Sequence, residues 1–353
     1  MVKNRIKKKY IIIFITVSLI ALLSNMSMAQ EKYKIAWSHY AGWEPWEVAR
    51  HENILNKWAK KYDIEIQIDL INDYIESINL YTGGAYHGCT MTNMDALTIP
   101  AAGGVDSTAL IIGDFSNGND GIILKNGSTV RDLKARKIML VELSVSHYLL
   151  ARALEQNNLT ERDLSLTNTS DADIAAVFAA DPNGAAVTWN PPLMQCRNVK
   201  GAKLVFDSSK IPGEIIDMMV VRTDAPESLK KALVGAWYET MALISGKTRA
   251  AKKAISYMGK FAGGTEAEFR AQLRTTAMFY RAADSIAFVK SDKLKKTMEY
   301  VRTFCFEHGL YGDEDSKDFV GILFPDGSVI GDKSNIKLRF DAKYTRLMSE
   351  GKL

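Results

Sequence analysis

The residues best suited to bind a small molecule are aromatic side chains near the ends of predicted strands. Trp37, Tyr40, Trp43 and Trp46 fall within ten residues of one another. They lie where a strand ending near Trp37 passes through a loop into a helix beginning near Pro45, a residue that the first turn tolerates. In α/β sheets, ligands bind outside the carboxyl ends of strands. We therefore expect Trp37, Tyr40 and Trp43 to form one wall of a site, and Trp46 to pack in the core.

A second wall is predicted at Trp189, which ends a strand just before Asn190, Pro191 and Pro192. The alternative for each of these rings, and for Trp37 above all, is that it only covers a sheet. A large ring in an exposed loop would be unexplained without a ligand, which favours the site for Tyr40 and Trp43.

Acidic residues accompany these rings, whereas Lys and Arg are nearly absent from the same segments. The acids are Glu44, Asp95, Asp114, Asp120, Glu142 and Asp217. Asp217 interrupts the apolar segment IIDMMVVR, where an unpaired charge would be costly, so a ligand cation or a hinge partner is expected there. We select Asp95, Asp114, Glu142 and Asp217 as candidate ligand-binding residues. Asp95 could instead serve the dipole of a helix, and Asp114 could lie in a Gly- and Asn-rich surface turn.

Polar residues complete the candidate site. Asn93, Asn190 or a serine could donate a hydrogen bond to a ligand carbonyl. Ser144 and His147 lie one helical turn apart, and we interpret them as a helix cap and a cleft residue, not as a nucleophile and its base. The patterns GxxxxGK[ST], GxGxxG, GxSxG and HExxH do not occur. The five histidines lack metal-ligand spacing, so no enzyme activity, metal or cofactor is expected.

The first 29 residues have the features of a signal peptide. A basic segment precedes the apolar run 11–23, and Ser27 and Ala29 lie at the −3 and −1 positions of a cleavage site before Gln30. The apolar run is shorter than the roughly 20 residues of a membrane span, although a retained anchor is the alternative. No cysteine follows the run, which argues against a lipid anchor.

Composition excludes several classes of protein. Five of the 45 basic residues but none of the 41 acidic residues lie in this first segment, so the exported chain would be close to neutral. The sequence pI of 8.7 therefore does not indicate a nucleic-acid or membrane partner. Cys89, Cys196 and Cys305 are far apart, which predicts isolated buried thiols; one disulfide remains the alternative.

Strand and helix patterns alternate along the exported chain, which predicts an α/β fold with mostly parallel sheets. We expect two lobes, one formed by residues 30–119 and 223–353 and the other by residues 120–222. Two hinge strands, 121–125 and 215–222, would cross between them. A cleft between such lobes is a common ligand site, and closure would be a hinge motion.

Four segments resemble solute-binding proteins of ABC importers in the nitrate/sulfonate/taurine-type class. They are the opening strand-loop-helix with Gly42, Pro45 and Ala49, residues 88–97, residues 141–150 (VELSVSHYLL), and residues 186–192 (AVTWNPP). The chain looks closest to the urea-type binding proteins of urea or guanidine carboxylase operons. The resemblance covers the exported region. It implies a two-lobed type II periplasmic-binding-protein fold, a periplasmic monomer, and delivery of a ligand from the inter-lobe cleft to a membrane permease.

The residues expected to line the cleft predict a ligand different from the anions that this class usually binds. Proteins that bind sulfonate or nitrate need positive partners or helix N-termini, whereas this cleft is acidic and aromatic. A guanidinium offers in-plane N–H donors to a carboxylate and can stack on Trp. Urea fits the same rings but also needs a donor for its carbonyl. We therefore predict a planar nitrogen compound. A binding protein for another nitrogen or sulfonate solute, a sensory receptor, and an enzyme on the same fold are the alternatives.

Overall fold

The computed structural model describes residues 30–353, so the predicted signal peptide lies outside the described residues. The chain forms two sheets with helices packed against them, which confirms the predicted α/β class. The strands are β1 Glu31–Trp37, β2 Ile64–Leu70, β3 Gly88–Thr92, β4 Ser107–Phe115, β5 Asp120–Lys125, β6 Lys137–Leu140, β7 Ser165–Asn168, β8 Ala185–Trp189, β9 Ala202–Asp207, β10 Ile216–Arg222, β11 Gly321–Leu323, β12 Val329–Ile330 and β13 Ile336–Phe340.

The α-helices lie between these strands and in a mainly helical region after β10. They are α1 Pro45–His51, α2 Ile54–Lys61, α3 Tyr74–Thr82, α4 Asn93–Ala96, α5 Val145–Gln156, α6 Ile174–Ala180, α7 Pro192–Arg197, α8 Glu227–Ser245, α9 Arg249–Phe261, α10 Glu266–Arg274, α11 Ala282–Val289, α12 Asp292–Glu307 and α13 Lys343–Ser349. A π-helical turn, Leu97–Ala101, extends α4.

The larger sheet has eight strands in the order β12-β11-β13-β4-β10-β3-β1-β2. β1 is parallel to β2 and β3, and β10 runs antiparallel between β3 and β4. The ends of β1, β3 and β4 and the start of β10 therefore lie at one edge of this sheet. The smaller sheet has the order β7-β6-β8-β5-β9, and in it the start of β5 pairs with the end of β8.

The two chain crossings between the sheets differ from those predicted. The segments 121–125 and 215–222 were expected to be hinge strands, but β5 lies in the smaller sheet and β10 in the larger one. The crossings are the short connections 116–119 and 208–215, so the second lobe ends before β10. An apolar run such as IIDMMVVR is typical of a strand buried on both faces, and the sequence does not reveal which sheet buries it.

The two crossings lie side by side. Ser116 in the first and Ser208 in the second have their Oγ atoms 2.6 Å apart, and Ser208 Oγ also accepts a hydrogen bond from Gly118 N at 2.7 Å. These hydrogen bonds tie together the two points about which the lobes would move.

The core of the larger lobe contains Trp46, as predicted. Its ring is 1% exposed and lies 5.0 Å from the ring of Trp237 in the long helix α8. α8 also packs closely on α2, where a Cβ atom at Gly235 would come within 2.3 Å of the Trp58 ring. A glycine is therefore required at this point of helix contact.

The three cysteines, Cys89, Cys196 and Cys305, are free and buried, which confirms the prediction of isolated thiols. No helix within residues 30–353 is both long and apolar enough to span a membrane.

Candidate functional site

Aromatic rings from both lobes meet between the two sheets. Tyr40 and Trp43, from the loop after β1, have ring centroids 4.9 Å apart. Trp43 lies 5.6 Å from Tyr74 at the start of α3, and Tyr74 meets Trp189 of the smaller lobe edge-on at 5.4 Å. The structure thus brings together Tyr40, Trp43 and Trp189, three rings that were selected from the sequence.

Trp189 also holds the lobes together through its polar edge. Its Nε1 donates a hydrogen bond to the backbone carbonyl of His39, in the same loop as Tyr40, at 3.2 Å. A second contact joins Asp171 of the smaller lobe to the first turn of α3, where Tyr74 N donates to Asp171 Oδ1 at 3.2 Å. The described conformation is therefore a closed one.

The rings enclose a small cavity. Its lining residues are Tyr40, Trp43, Tyr74, Thr92, Asp120, Val145, Trp189 and Asp217. The volume open to the centre of a water molecule is about 10 Å³, close to the minimum that holds one water. In this closed state the cavity has room for about one water molecule, so a larger ligand requires its lining residues to move apart.

Four buried carboxyl groups lie at or near this cavity, and two of them, Asp120 and Asp217, line it. Asp217 on β10 lies opposite Asp114 on β4 and opposite Thr92 on β3. Asp120 begins β5 in the smaller lobe, and Asp95 lies in the short helix α4. All four aspartates are at most 2% exposed. Within residues 30–353 none of the four pairs with a Lys or Arg, so their charge is not compensated by the protein.

Hydroxyl groups stabilise part of this charge. Tyr40 Oη donates to Asp114 Oδ1 at 3.2 Å, while Tyr74 Oη and Thr92 Oγ1 donate to Asp95 Oδ2 at 2.6 Å and 2.7 Å. Gly42 permits the first of these contacts, because a Cβ atom there would lie 2.3 Å from Asp114 Oδ2.

Five carboxylate oxygens remain without a hydrogen-bond donor. They are Asp95 Oδ1, Asp114 Oδ2, Asp120 Oδ2 and both oxygens of Asp217. A buried polar atom without a partner costs on the order of 1–3 kcal/mol, and more when it is charged. The site therefore favours an occupant that is positively charged and carries several N–H donors.

The acid–base properties agree with this conclusion. Burial raises the pKa of Asp114 and of Asp120 to about 7 and that of Asp95 to about 6. Burial, together with the charges of Asp114 and Asp120, raises the pKa of Asp217 well above its usual range. Protons therefore occupy part of this cluster in the empty protein at neutral pH, and a bound cation would replace them.

Five other sequence-selected residues, Trp37, Asn93, Glu142, Ser144 and His147, lie outside the cavity. Trp37 is 1% exposed and stacks on Phe261 at 6.1 Å, in the core of the larger lobe. Asn93 uses its side chain to accept from Ile216 N at 3.0 Å and to donate to Glu214 O at 3.1 Å, which fixes α4 to the second crossing. Glu142 is exposed at the rim of a separate groove.

Ser144 has the predicted capping role in α5, since its Oγ accepts from Ser146 N at 3.2 Å and donates to Val141 O at 2.7 Å. His147, one turn along, points away from the cavity towards His308 of the larger lobe. Residues at a strand-to-helix turn can point in several directions, and only tertiary contacts decide which.

Four residues that line the cavity were not among the candidates chosen from the sequence, namely Tyr74, Thr92, Asp120 and Val145. Asp120 had a signal, since an acid directly precedes the apolar strand segment GIILK. Tyr74 follows the N-cap Asp73 and resembles an ordinary packing residue of a helix.

Comparison with known proteins shows the fold. No protein family matches the sequence, and no curated protein matches it. The structure is similar to the alkanesulfonate-binding protein SsuA from Xanthomonas axonopodis pv. citri bound to MOPS, with a TM-score of 0.66 and 16% identity over 81% of this chain and 96% of that one.

It is also similar to the periplasmic aliphatic sulphonate-binding protein SsuA from Escherichia coli, with a TM-score of 0.65 and 18% identity over 81% of this chain and 95% of that one. An ABC transporter protein from Parabacteroides distasonis matches with a TM-score of 0.55 and 13% identity over 87% of this chain and 99% of that one. The chain thus has the periplasmic-binding-protein fold.

Proposed function

We propose that this chain is an exported solute-binding protein of an ABC importer that closes on a small planar nitrogen compound and delivers it to a permease. The fold supports the general role, because its structural neighbours are periplasmic binding proteins and components of ABC transporters. Export depends on the predicted signal peptide of residues 1–29.

One observation carries the choice of ligand. Asp120 and Asp217 line the cavity, and Asp114 lies opposite Asp217 on the neighbouring strand. Four oxygens of these three residues have no donor, and none of the three has a basic partner within residues 30–353. An anion placed here would meet uncompensated negative charge in a site of low dielectric constant, which is strongly unfavourable. This is why we do not extend to this chain the sulfonate ligands in the names of the first two neighbours.

A guanidinium ion satisfies the site in two ways. Its N–H groups lie in one plane and can donate to the free oxygens of Asp120 and Asp217, from opposite lobes. Its faces can pack on the rings of Tyr40, Trp43 and Trp189. Closure of the lobes would then be stabilised by the ligand itself, since the two aspartates belong to different lobes.

Urea is the second candidate of the same class. It has the same planar shape and four N–H donors, but its carbonyl oxygen needs a donor. Trp43 Nε1 is buried without a partner and could supply one. Urea would leave the negative charge of the cluster to be neutralised by protons.

Calorimetric titration of the purified protein with guanidinium, urea, taurine and nitrate tests the proposal. We expect binding of guanidinium or urea and no binding of the two anions. Tight binding of taurine or nitrate without a response to either nitrogen compound would overturn the ligand assignment. Chemical conversion of a bound compound would overturn the assignment as a binding protein and favour an enzyme on the same fold.

A further inference from the structure

Another polar contact between the lobes lies away from the cavity. His308, directly after the end of α12, has its Nε2 atom 2.8 Å from Glu161 Oε1, and His147 Nε2 lies 3.2 Å from the same oxygen. His147 and Glu161 belong to the smaller lobe. α12 packs on α4 and belongs to the larger lobe. These three residues, which we call the inter-lobe triad, therefore connect the two lobes.

The hydrogen-bond partners of His308 indicate which of its ring nitrogens carry a proton. Its Nδ1 atom lies 2.9 Å from the backbone carbonyl of Phe304, and a carbonyl oxygen only accepts hydrogen bonds. Its Nε2 atom faces the carboxylate of Glu161, which also only accepts when ionised. Both ring nitrogens thus carry protons, and His308 in this arrangement is a charged imidazolium paired with Glu161.

The pKa values of His308 and Glu161 agree with an ion pair between them. The hydrogen bond with Glu161 raises the pKa of His308 above its ordinary value. The neighbouring His147 and His308 side chains lower the pKa of Glu161 to about 2. The other charged group acting on His308 is Glu307 of its own helix. Arg152, Glu155, Lys296 and Glu299 line the adjoining groove, and Arg152 pairs with Glu214 and Glu155.

Two histidines and a glutamate could also hold a transition metal ion, because their donor atoms lie within 4.8 Å of one another. The hydrogen bond of His147 argues against this. His147 Nδ1 accepts from Leu143 N at 3.1 Å, so a neutral His147 carries its proton on Nε2, the atom that faces Glu161. A metal-bound histidine needs that nitrogen without a proton and usually donates through the other.

We propose that the inter-lobe triad is a proton-controlled latch, which holds the lobes closed while His308 is charged and releases them when His308 loses its proton. An imidazolium–carboxylate pair at an interface between two moving bodies contributes only in the closed state. Its contribution is complete below the ordinary histidine pKa of about 6.5 and is lost as the pH rises through the raised pKa of the closed state. On the acid side its contribution is complete above the ordinary glutamate pKa of about 4.3 and is lost as the pH falls through the lowered pKa of Glu161 in the closed state, about 2. Mildly acidic conditions therefore favour closure.

Nuclear magnetic resonance titration of the ligand-free protein tests the latch directly. We expect the His308 imidazole to titrate above pH 6.5 in the wild type, and at a lower pH in Glu161→Gln, which keeps the shape of the side chain but removes its charge. A His308 that titrates at the same pH in both proteins would overturn the proposal. His51, on the surface of the larger lobe, is an internal reference whose signals should be the same in both proteins.

Small-angle X-ray scattering of the same proteins tests the effect on closure. Raising the pH from 6 to 8.5 should shift the wild type towards a larger radius of gyration, and the shift should be smaller in His308→Gln than in the control His51→Gln. The cavity aspartates titrate in the same range, so the difference between these variants isolates the latch. Equal shifts in both variants would contradict it. Closure by micromolar Zn²⁺ that is lost in His308→Gln would also overturn it and assign a metal site instead.

Discussion

Asp114 and Asp217 lie directly opposite each other on neighbouring antiparallel strands, both fully buried and neither paired with a basic residue within residues 30–353. Like charges at such a position are destabilising. Burial raises the pKa of both carboxyl groups, and the charge of Asp114 raises that of Asp217 further. Such an arrangement reduces the stability of the empty protein. A cation in the cavity beside Asp114 and Asp217 would compensate their negative charge.

The first prediction concerns Asp217→Asn, which removes one charge but retains the shape of the side chain. Ligand binding should weaken by about 2–5 kcal/mol, or roughly 30-fold or more, because a buried charge partner is lost. The empty protein should melt at a higher temperature, because folding no longer has to bury or protonate a carboxyl group beside Asp114. Calorimetric titration and thermal melting measure the two effects, and Asp313→Asn, at an exposed position, is the control. A variant that binds normally would show that Asp217 does not contact the ligand.

The second prediction concerns pH. Asp114 and Asp120 have pKa values of about 7, raised by burial, so they bind protons that a guanidinium ligand must displace. Guanidinium affinity should therefore fall as the pH decreases from 8 to 5.5, and protons should be released on binding. Titrations in two buffers of different ionisation enthalpy count these protons, and the His308→Gln background removes the contribution of the latch. Uptake of protons would contradict this prediction.

The same shifts predict how the stability of the empty protein depends on pH. A carboxyl group whose pKa is raised on folding binds more protons in the folded than in the unfolded state between about pH 4 and 7. The contribution of Asp114 and Asp120 to stability therefore decreases as the pH rises through this range. Denaturant unfolding at pH 5 and pH 8 should show this loss, and it should be smaller in a protein carrying both Asp114→Asn and Asp120→Asn. Equal losses in the two proteins would argue against the raised pKa values.

The fourth prediction concerns the aromatic walls. Trp43→Ala and Trp189→Ala should each weaken ligand binding, with stacking losses on the order of 0.5–2 kcal/mol or more. Trp37→Ala is the matched control, because Trp37 is buried in the larger lobe but does not line the cavity. It should reduce stability and leave the affinity of the folded protein nearly unchanged. If Trp43→Ala and Trp189→Ala changed stability alone, their rings would belong to the core.

The fifth prediction concerns Gly42, where an added methyl group would collide with Asp114 Oδ2 and with the Tyr40 ring. Gly42→Ala should move these two side chains and so weaken ligand binding, beyond the overpacking cost of about 1–3 kcal/mol in stability. Gly83→Ala is the control, since its nearest neighbour would be a backbone oxygen at 3.3 Å. Binding at wild-type affinity by Gly42→Ala would exclude a role for this close approach.

Much of the site could be predicted because its local signals are strong. An acid inside the apolar segment around Asp217, and exposed-looking rings at Tyr40 and Trp43, each conflict with local folding preferences, which is typical of functional positions. The partner of Asp217 could not be predicted, because it depends on the register between β4 and β10, including a bulge next to Asp217.

The sequence did not determine the direction in which each side chain points. Trp37 and Tyr40 are three residues apart, yet Trp37 packs on Phe261 in the core while Tyr40 donates to Asp114 at the cavity. His147 was expected in the cleft, and its ring instead faces Glu161 and His308. Its partner His308 is 161 positions further along the chain, so no local pattern could have connected them.

A crystal structure of the protein grown with guanidinium tests the central claim most directly. We expect the ion inside the cavity, with its nitrogen atoms within about 3 Å of free oxygens of Asp217 and Asp120 and its plane packed against Trp43 or Trp189. A cavity without the ion at a concentration that saturates binding in solution, or an anion bound between the same aspartates, would contradict the account.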